Sequence, residues 1–388
     1  MSAGDVVAVA LPPGSDWLGI VTEVWQAGAA LFPVDMRMPE PEATNLVRAA
    51  KPTVVLLPEG WERAEGEPAD HDVALIVHTS GTAGRPKLAQ FSRSAVDAAV
   101  AASALALEAT PRDPWLSCLP LAHVGGLLVL LRAVLLGAPV VVHESFDVVA
   151  FAAERETLFT SLVPTMLGRL LDAEIDLRRY RAILIGGARL PDDQADRARG
   201  LGAKVIETYG LTESFGGVIY DGRPLPGVEM RIDADGGIEL RGPTLMLGYR
   251  SDVEATRLVF SDDGWLRPGD AGEIDNEGRL HVIGRFDDRI NTGGEKVWPE
   301  EVEAALRRHP KVHEVGVRGR LDSEWGERVV AFVVPVDPAD PPTLDELRET
   351  AARSMPRHRA PRELVLVDEL PRTRSGKLRR VALRAWGE

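Results

Sequence analysis

The amino-acid sequence predicts an α/β protein: a large N-terminal domain of layered parallel sheets with helices, a small β-barrel-like part, and a small α+β C-terminal domain. Three observations predict it. Over the first two thirds, short Val- and Ile-rich runs bounded by Gly or Pro alternate with alanine-rich helical stretches, and alternating β and α implies parallel sheets covered by helices. From about Gly227 the texture changes to short strands, Gly turns and charged hairpins, which reads as an antiparallel or barrel-like piece. After about Asp287 the order becomes helix, strand, strand, helix, strand.

The buried strands of the first region are expected at Val6–Leu11, Val54–Leu57, Ala74–His78, Pro139–His143, Ala182–Ile185 and Lys204–Glu207, with helices at Ser94–Leu107 and Pro191–Arg199. The antiparallel piece has strands at Glu229–Ile232, Gly237–Arg241 and Arg279–Val282. Pro299–Arg308 carries the marks of a helix: Pro at the start, Glu300, Glu301 and Glu303 early, Arg307 and Arg308 late, and Pro310 beyond, as the helix dipole and the capping preferences require. Strands follow at Glu314–Arg318 and Arg328–Val334, then a helix from Leu344 to Arg353 capped by Thr343, and a strand at Glu363–Val367.

Composition excludes several classes. The 388 residues are 45% hydrophobic and 27% charged, ordinary values for a soluble globular protein of two or three domains. The net charge of −14 argues against a nucleic-acid binder or an anionic-membrane binder. The single cysteine, Cys118, cannot form an intrachain disulfide, which fits a reducing, cytoplasmic setting. No signal peptide is visible at the start, and the longest apolar run, Leu127 to Val142, is broken by Arg132, Gly137 and Pro139, so no membrane span is expected. Residues 351–388 hold ten basic and four acidic side chains. That excess is either a solubilising face or a field that gathers a polyanion.

The most informative segment is Thr79-Ser80-Gly81-Thr82-Ala83-Gly84-Arg85-Pro86-Lys87, directly after a predicted strand. Glycines let backbone N–H groups approach a polyphosphate, hydroxyls donate to it, and Lys87 adds a charge-assisted hydrogen bond. The spacing is not that of a Walker loop. Taken alone, the segment is also compatible with an exposed polar turn.

With this loop, four further elements in the same order resemble the adenylate-forming superfamily of acyl-CoA synthetases, adenylation domains and luciferases. They are Tyr209-Gly210-Leu211-Thr212-Glu213; Gly269-Asp270; Gly284-Arg285-Phe286-Asp287-Asp288 with Gly293-Gly294-Glu295 and Pro299-x-Glu301-Val302-Glu303; and Pro371 to Lys377. The resemblance covers essentially the whole chain and implies a large domain at 1–286 and a small mobile domain at 287–388, with a hinge near Asp287. Gly4-Asp5-Val6-Val7-Ala8 looks like a segment that family members reach later, so part of the usual N-terminal region is expected to be absent.

The implied chemistry has two halves: a carboxylic acid and ATP give acyl-AMP and pyrophosphate, then a thiol, expected to be coenzyme A, displaces AMP. The resemblance assigns Thr79, Ser80, Gly81, Thr82, Gly84 and Lys87 to the phosphates. It assigns Thr212 to the α-phosphate and Glu213 to Mg²⁺. Gly186, Gly187, Ala188, Tyr209 and Gly210 fall to the nucleotide, and Asp270 to the ribose with Arg285 as its partner. Lys377 is the implied catalytic lysine of the first half, and Gly293 and Gly294 line the thiol's path in the second. Without the other elements, Tyr209–Glu213 also reads as a helix N-terminus. His123, in Leu119 to Gly126, resembles the histidine that borders the acid, although a histidine in an apolar run is often a core residue. This segment, Leu131-Arg132, Ser161 to Thr165 and the compact length are similar to bacterial o-succinylbenzoate–CoA ligases.

The loop departs from the family at Ala83, where Thr is usual, and at Leu88, where Gly is common. A lost hydroxyl on a charged phosphate costs roughly 1.5–3 kcal/mol if uncompensated, so weakened ATP use is one expectation. The alternatives to an acid–CoA ligase are an adenylating enzyme that loads a carrier-protein phosphopantetheine, and a homologue that has lost adenylation. Monomer and homodimer both stay open.

Overall fold

The computed structural model describes residues 1–79, 87–373 and 376–385. They fall into two compact units, one of residues 1–230 with 240–266, the other of 231–239 with 267–388.

Two seven-stranded sheets form the first unit. In one, the parallel strands Val73–His78, Ala30–Pro33, Val6–Val9 and Val54–Leu57 lie side by side in that order. Antiparallel strands finish its edges: Leu88–Ser92 and Gly248–Tyr249 on one side, Gly60–Arg63 on the other. In the other, Val205–Leu211, Ala182–Ile185, Phe159–Leu162, Trp115–Ser117 and Val140–Val142 are parallel, and Gly216–Tyr220 and Arg223–Pro224 extend it antiparallel. The expected strands are present with edges moved by a few residues. The largest change is at Lys204–Glu207, which runs from Val205 on to Leu211. Tyr209 to Leu211 is therefore extended backbone and not a helix start.

The apolar run from Leu127 supplies the helix Val124–Leu136, buried from Gly126 to Ala133. A helix apolar on all sides belongs inside a protein. Its leucines join the core of the first sheet with Trp17, Val21 and Val24 of the Asp16–Gln26 helix, and it also packs on Trp115–Ser117, Phe159–Leu162 and Gly216–Tyr220 of the second sheet. Phe215, wholly buried, meets Phe91 with ring centroids 4.9 Å apart. Arg132 is the one charge in this helix. It lies 4.5 Å from the Trp115 ring and donates to Ser103 Oγ at 2.6 Å. Burial lowers its pKa, with the Tyr220 hydroxyl opposing. Among the described residues no helix is long and apolar enough to cross a membrane.

The second unit contains a five-stranded sheet. Glu295–Val297, Ile290–Thr292, Gly326–Pro335 and Val312–Asp322 follow one another, and Glu363–Leu366 runs parallel to Gly326–Pro335. The helices Pro299–Leu306 and Leu344–Ala352 cover it through Val302, Leu306, Leu347 and Ala351. Thr343 caps the second helix as expected, in a reciprocal box with Glu346. Among the described residues the antiparallel part holds two hairpins, Glu229–Ile232 with Ile238–Arg241 and Asp270–Ile274 with Leu280–Arg285, linked by a bridge between Gly237 and Ala271.

Part of the basic C-terminal segment is paired within its own unit. Arg359 pairs with Glu301, Arg372 with Glu314, and Arg380 with Glu300 and Glu303, while Arg362 stacks 3.8 Å from the Trp325 ring centroid. Burial pushes Glu300 up to about 7; Arg380 opposes the shift, and Glu303 and Asp288 add to it.

The folded state therefore holds the Glu300 proton more tightly than the unfolded chain, whose ordinary value is 4.5. The stability this gives is present below the ordinary value and is lost as pH rises through about 7. Glu300→Gln should match the parent in thermal unfolding at low pH and become the more stable protein as pH rises past neutrality. A Tm difference that stays flat from acid to alkaline buffer would refute this.

Candidate active site

Thr79 follows the strand Val73–His78, and its N–H donates to the Lys87 carbonyl at 2.8 Å. That bond continues the ladder between Val73–His78 and Leu88–Ser92, so the loop starts and ends at one place on the sheet. Ser80, Gly81, Thr82, Ala83 and Gly84 lie outside the described residues. Leu88 is buried as the first residue of its strand, a position where a side chain contributes to the core.

Lys87 Nζ lies 4.9 Å from the centroid of the Tyr249 ring. The Tyr249 hydroxyl donates to Glu213 Oε1 at 2.5 Å, and the Met246 N–H donates to the Glu213 carbonyl at 2.9 Å. The geometry thus gathers Lys87, Tyr249 and Glu213. Tyr249 has no signal of its own in the sequence. It arrives because Gly248–Tyr249 pairs with Ala89 and Gln90 of the strand after the loop.

Glu213 sits in the short 3₁₀ turn Thr212–Ser214, which ends the strand Val205–Leu211. Ser214 locks this turn: it accepts from the Leu211 N–H at 3.0 Å and donates to the Gly216 carbonyl at 2.9 Å. Gly210 leaves no room for a side chain, since a Cβ there would lie 1.9 Å from the Gly216 carbonyl oxygen. The ladder shifts register between Tyr209 and Gly210, a bulge that turns the strand end. Gly186, Gly187 and Ala188 follow the adjacent strand end at Ile185, whose carbonyl accepts from Thr208 Oγ1 at 3.1 Å. Carboxyl ends of parallel strands are where α/β sheets bind ligands.

His123 stands at the residue before the Val124–Leu136 helix, with no side-chain bond to it, and is half-buried, not a core residue. Its Nε2 lies 3.6 Å from Asp35 Oδ2, and its ring is 5.1 Å from that of His78. Burial would raise the Asp35 carboxyl, but side-chain and backbone hydrogen bonds from Arg37 outweigh it and hold the group at about 2. Asp35 with Arg37, and His78, escape sequence reading because they follow or end different strands and no local pattern links them to His123.

In the second unit, Asp270 and Arg285 are register partners on one hairpin, with Arg285 Nη1 3.2 Å from Asp270 Oδ1. Asp270 is nearly buried, and Arg285 Nη2 also donates to the Pro268 carbonyl at 3.2 Å. Gly293 and Gly294 form the two-residue turn between Ile290–Thr292 and Glu295–Val297, with φ of +60° and +83°. Two successive positive φ values are what a type I′ hairpin needs. The Gly293 N–H donates to the Trp325 carbonyl at 2.8 Å. Lys377 is exposed at the end of a tight turn. Its carbonyl accepts from the Thr373 N–H at 2.7 Å, and its N–H donates to Thr373 Oγ1 at 3.1 Å.

The residues present fit Mg²⁺ as a nucleotide-borne ion. Among the described residues no group of three or more acidic, His or Cys side chains gathers for a metal. Glu213 is a single half-buried carboxylate with one oxygen committed to Tyr249. A cation that keeps several waters and phosphate oxygens asks the protein for little more.

The first unit presents a lysine, a carboxylate and glycines at its strand ends, and the second unit by itself holds an Asp–Arg pair and a lysine turn; these features agree with an adenylate-forming enzyme. The comparisons agree. The AMP-binding enzyme family matches residues 57–250, and the AMP-binding enzyme C-terminal domain matches residues 301–377; the chain belongs to this family. It is 39% identical over 361 residues to a probable 2-succinylbenzoate–CoA ligase of Mycobacterium tuberculosis, covering 88% of this chain and 93% of that one. It is 33% identical to an indoleacetate–CoA ligase of Aromatoleum aromaticum, over 91% of this chain and 82% of the relative. The structure of o-succinylbenzoate CoA synthetase from Bacillus subtilis with its acyl-adenylate intermediate is similar at a TM-score of 0.88 and 29% identity, over 99% of this chain and 89% of that one. The same enzyme with ATP and magnesium gives 0.87.

The close approach at Gly210 is testable. Gly210→Ala should lower thermal stability by roughly 1–3 kcal/mol, the cost of added volume in a filled site, and weaken nucleotide binding measured by calorimetry. Gly200→Ala, where a methyl group meets nothing within 4 Å, should leave both unchanged. Equal behaviour of the two variants would remove the bulge from the account of the site.

Proposed function

We propose that this chain is an ATP-dependent acid–CoA ligase whose acid is o-succinylbenzoate. What carries the proposal is the 39% identity to a probable 2-succinylbenzoate–CoA ligase across nearly that protein's whole length. The grouping of Lys87, Tyr249 and Glu213 supports its ATP-dependent half.

In the first half-reaction an oxygen of the acid's carboxylate bonds to the α-phosphorus of ATP, and the bond to the bridging oxygen breaks, releasing pyrophosphate. Two anions must meet, so cationic groups have to sit where charge accumulates. Lys87 and the loop from Thr79 to Gly84 hold the phosphates. Glu213, fixed by Tyr249, holds Mg²⁺, which when bound neutralises phosphate charge. Thr212 donates to the α-phosphate. Asp270 accepts from the ribose hydroxyls, with Arg285 keeping it ionised and aimed, and Gly186 to Ala188 with Tyr209 and Gly210 border the base. His123, oriented by Asp35, stands at the acid. Lys377 spans the carboxylate and the α-phosphate as the new bond forms. In the second half the CoA thiolate bonds to the acyl carbon and the carbon–oxygen bond to AMP breaks. The Gly293–Gly294 turn borders the thiol's path, and the small domain turns about a hinge near Asp287. This chemistry belongs in the cytoplasm, where ATP and free CoA are available.

Two measurements test this. ATP–pyrophosphate exchange should be fastest with o-succinylbenzoate in a panel that includes indoleacetate and fatty acids, with free CoA accepting the acyl group in preference to a phosphopantetheinyl carrier protein. Exchange fastest with indoleacetate would move the chain to the aryl-acetate ligases, and exchange with no acid would mean adenylation has been lost. Lys377→Ala should reduce exchange by about a thousandfold or more, as removal of charge stabilisation at a transition state does, while capture of supplied acyl-AMP by CoA changes little. An equal fall in both halves would overturn the role given to Lys377.

A further inference from the structure

We propose that Arg380 is a positioning residue for Lys377, anchoring the end of the lysine turn to the Pro299–Leu306 helix and to the turn beside Asp287. The proposal rests on the role given to Lys377 above.

The turn itself is small. Its base is closed by a bridge between Arg372 and Leu378 and by the Arg379 N–H donating to the Pro371 carbonyl at 2.8 Å. On the entering side, Arg372 donates to the Gly376 carbonyl and to Glu314 Oε2, both at 2.9 Å, and both contacts are exposed to water. On the leaving side, Arg380 opens the 3₁₀ segment Arg380–Ala385 and its side chain is only 12% exposed. Its Nη2 lies 2.9 Å from Glu300 Oε1 and 3.0 Å from Glu303 Oε2, and its Nε lies 3.9 Å from Asp288 Oδ2.

Three carboxylates thus converge on one guanidinium. Glu303 is itself fixed, since its Oε1 accepts from the Val317 N–H at 2.8 Å, and Arg307 is the other cation near it, at 3.6 Å. The two close partners, Glu300 and Glu303, belong to one packed helix, Pro299–Leu306, which makes that side of the anchor rigid. Three residues of extended chain span at most about 11 Å, so a fixed guanidinium at 380 restricts where the backbone of Lys377 can lie. A misplacement of about 1 Å at a reacting group costs on the order of a hundredfold in rate. Both close contacts come from the one terminal nitrogen Nη2, which the planar guanidinium holds in a fixed direction, whereas a lysine ammonium on its flexible stem has less directional control.

The test separates the half-reactions in the full chain. Arg380→Lys keeps the charge and loses the planar guanidinium. ATP–pyrophosphate exchange with o-succinylbenzoate should fall about 10- to 100-fold. CoA capture of supplied o-succinylbenzoyl-AMP should stay within about threefold of the parent, because only the first half uses Lys377. The double variant with Lys377→Ala should be no slower in exchange than Lys377→Ala alone, since Arg380 acts through that lysine. A merely structural role would lower both halves together and multiply in the double variant, and either result overturns the proposal, as does exchange within about threefold of the parent. If Arg380→Lys does not fold, Glu303→Gln removes one carboxylate from the anchor and should give the same split in smaller measure; its absence there overturns the proposal too. Exchange that survives Lys377→Ala itself would instead refute the role of Lys377, so the two failures are distinguishable.

Discussion

The Val124–Leu136 helix, buried between two sheets, is the constraint on which the first unit depends. One sheet carries Lys87 and Tyr249 and the other carries Glu213, so the lysine and the carboxylate meet only if the sheets keep their spacing. Interiors are close-packed and yield little to compression. A helix of leucines filling the gap, together with the Phe91–Phe215 contact, fixes that spacing. The same helix begins at His123, so the packing that sets the sheets apart also sets the histidine at the sheet ends. Arg132 is the cost of this arrangement, a charge taken from water and met, among the described residues, by a ring, Ser103 Oγ and the Tyr220 hydroxyl. A buried cation with weak partners is rarely neutral for stability, yet here it ties the helix to the Arg93–Ala106 helix and to the strand after Glu213.

Much of the fold was legible because buried parallel strands are short β-branched runs with sharp ends. Val54–Leu57 and Ala182–Ile185 coincide with their expected bounds. The antiparallel edge strands were not legible. Leu88–Ser92 has no Val or Ile and follows a Pro-Lys pair, and it becomes a strand because the loop returns it to the side of Val73–His78. Ile290–Thr292 and Glu295–Val297 are three residues each, too short for any period to emerge, and only their Gly-Gly turn announces them.

The site divides in the same way. Segments that act through their own backbone, such as Tyr209–Glu213 and the Gly293–Gly294 turn, are visible as local patterns. Side chains that act through a partner far along the chain are not. Tyr249 reaches Glu213 across 36 positions, and Asp35 reaches His123 from a different strand end; a lone tyrosine or aspartate has no neighbours in sequence to mark it. The basic C-terminal segment is half legible for the opposite reason. Its charges form a conspicuous run, but the partners of Arg359, Arg372 and Arg380, which are Glu300, Glu301, Glu303 and Glu314, lie some 60 to 80 positions earlier, so sequence reading cannot tell which of the charges are paired.

These pairings bear on how one small unit can serve two half-reactions. The lysine turn and the Gly293–Gly294 turn both belong to the second unit, and each is fastened to its own part of it, one through Arg372 and Arg380, the other through Trp325. Neither turn has to refold for the other to be used. If Lys377 serves the first half and the glycine turn the second, the change between them is a movement of the unit as a body. The conformational cost then falls on the few residues of the hinge and not on the packed sheet. Rigid anchoring of both turns is therefore the condition for alternating between them, since a loosely held lysine would lose in the first half whatever freedom it gained for the second.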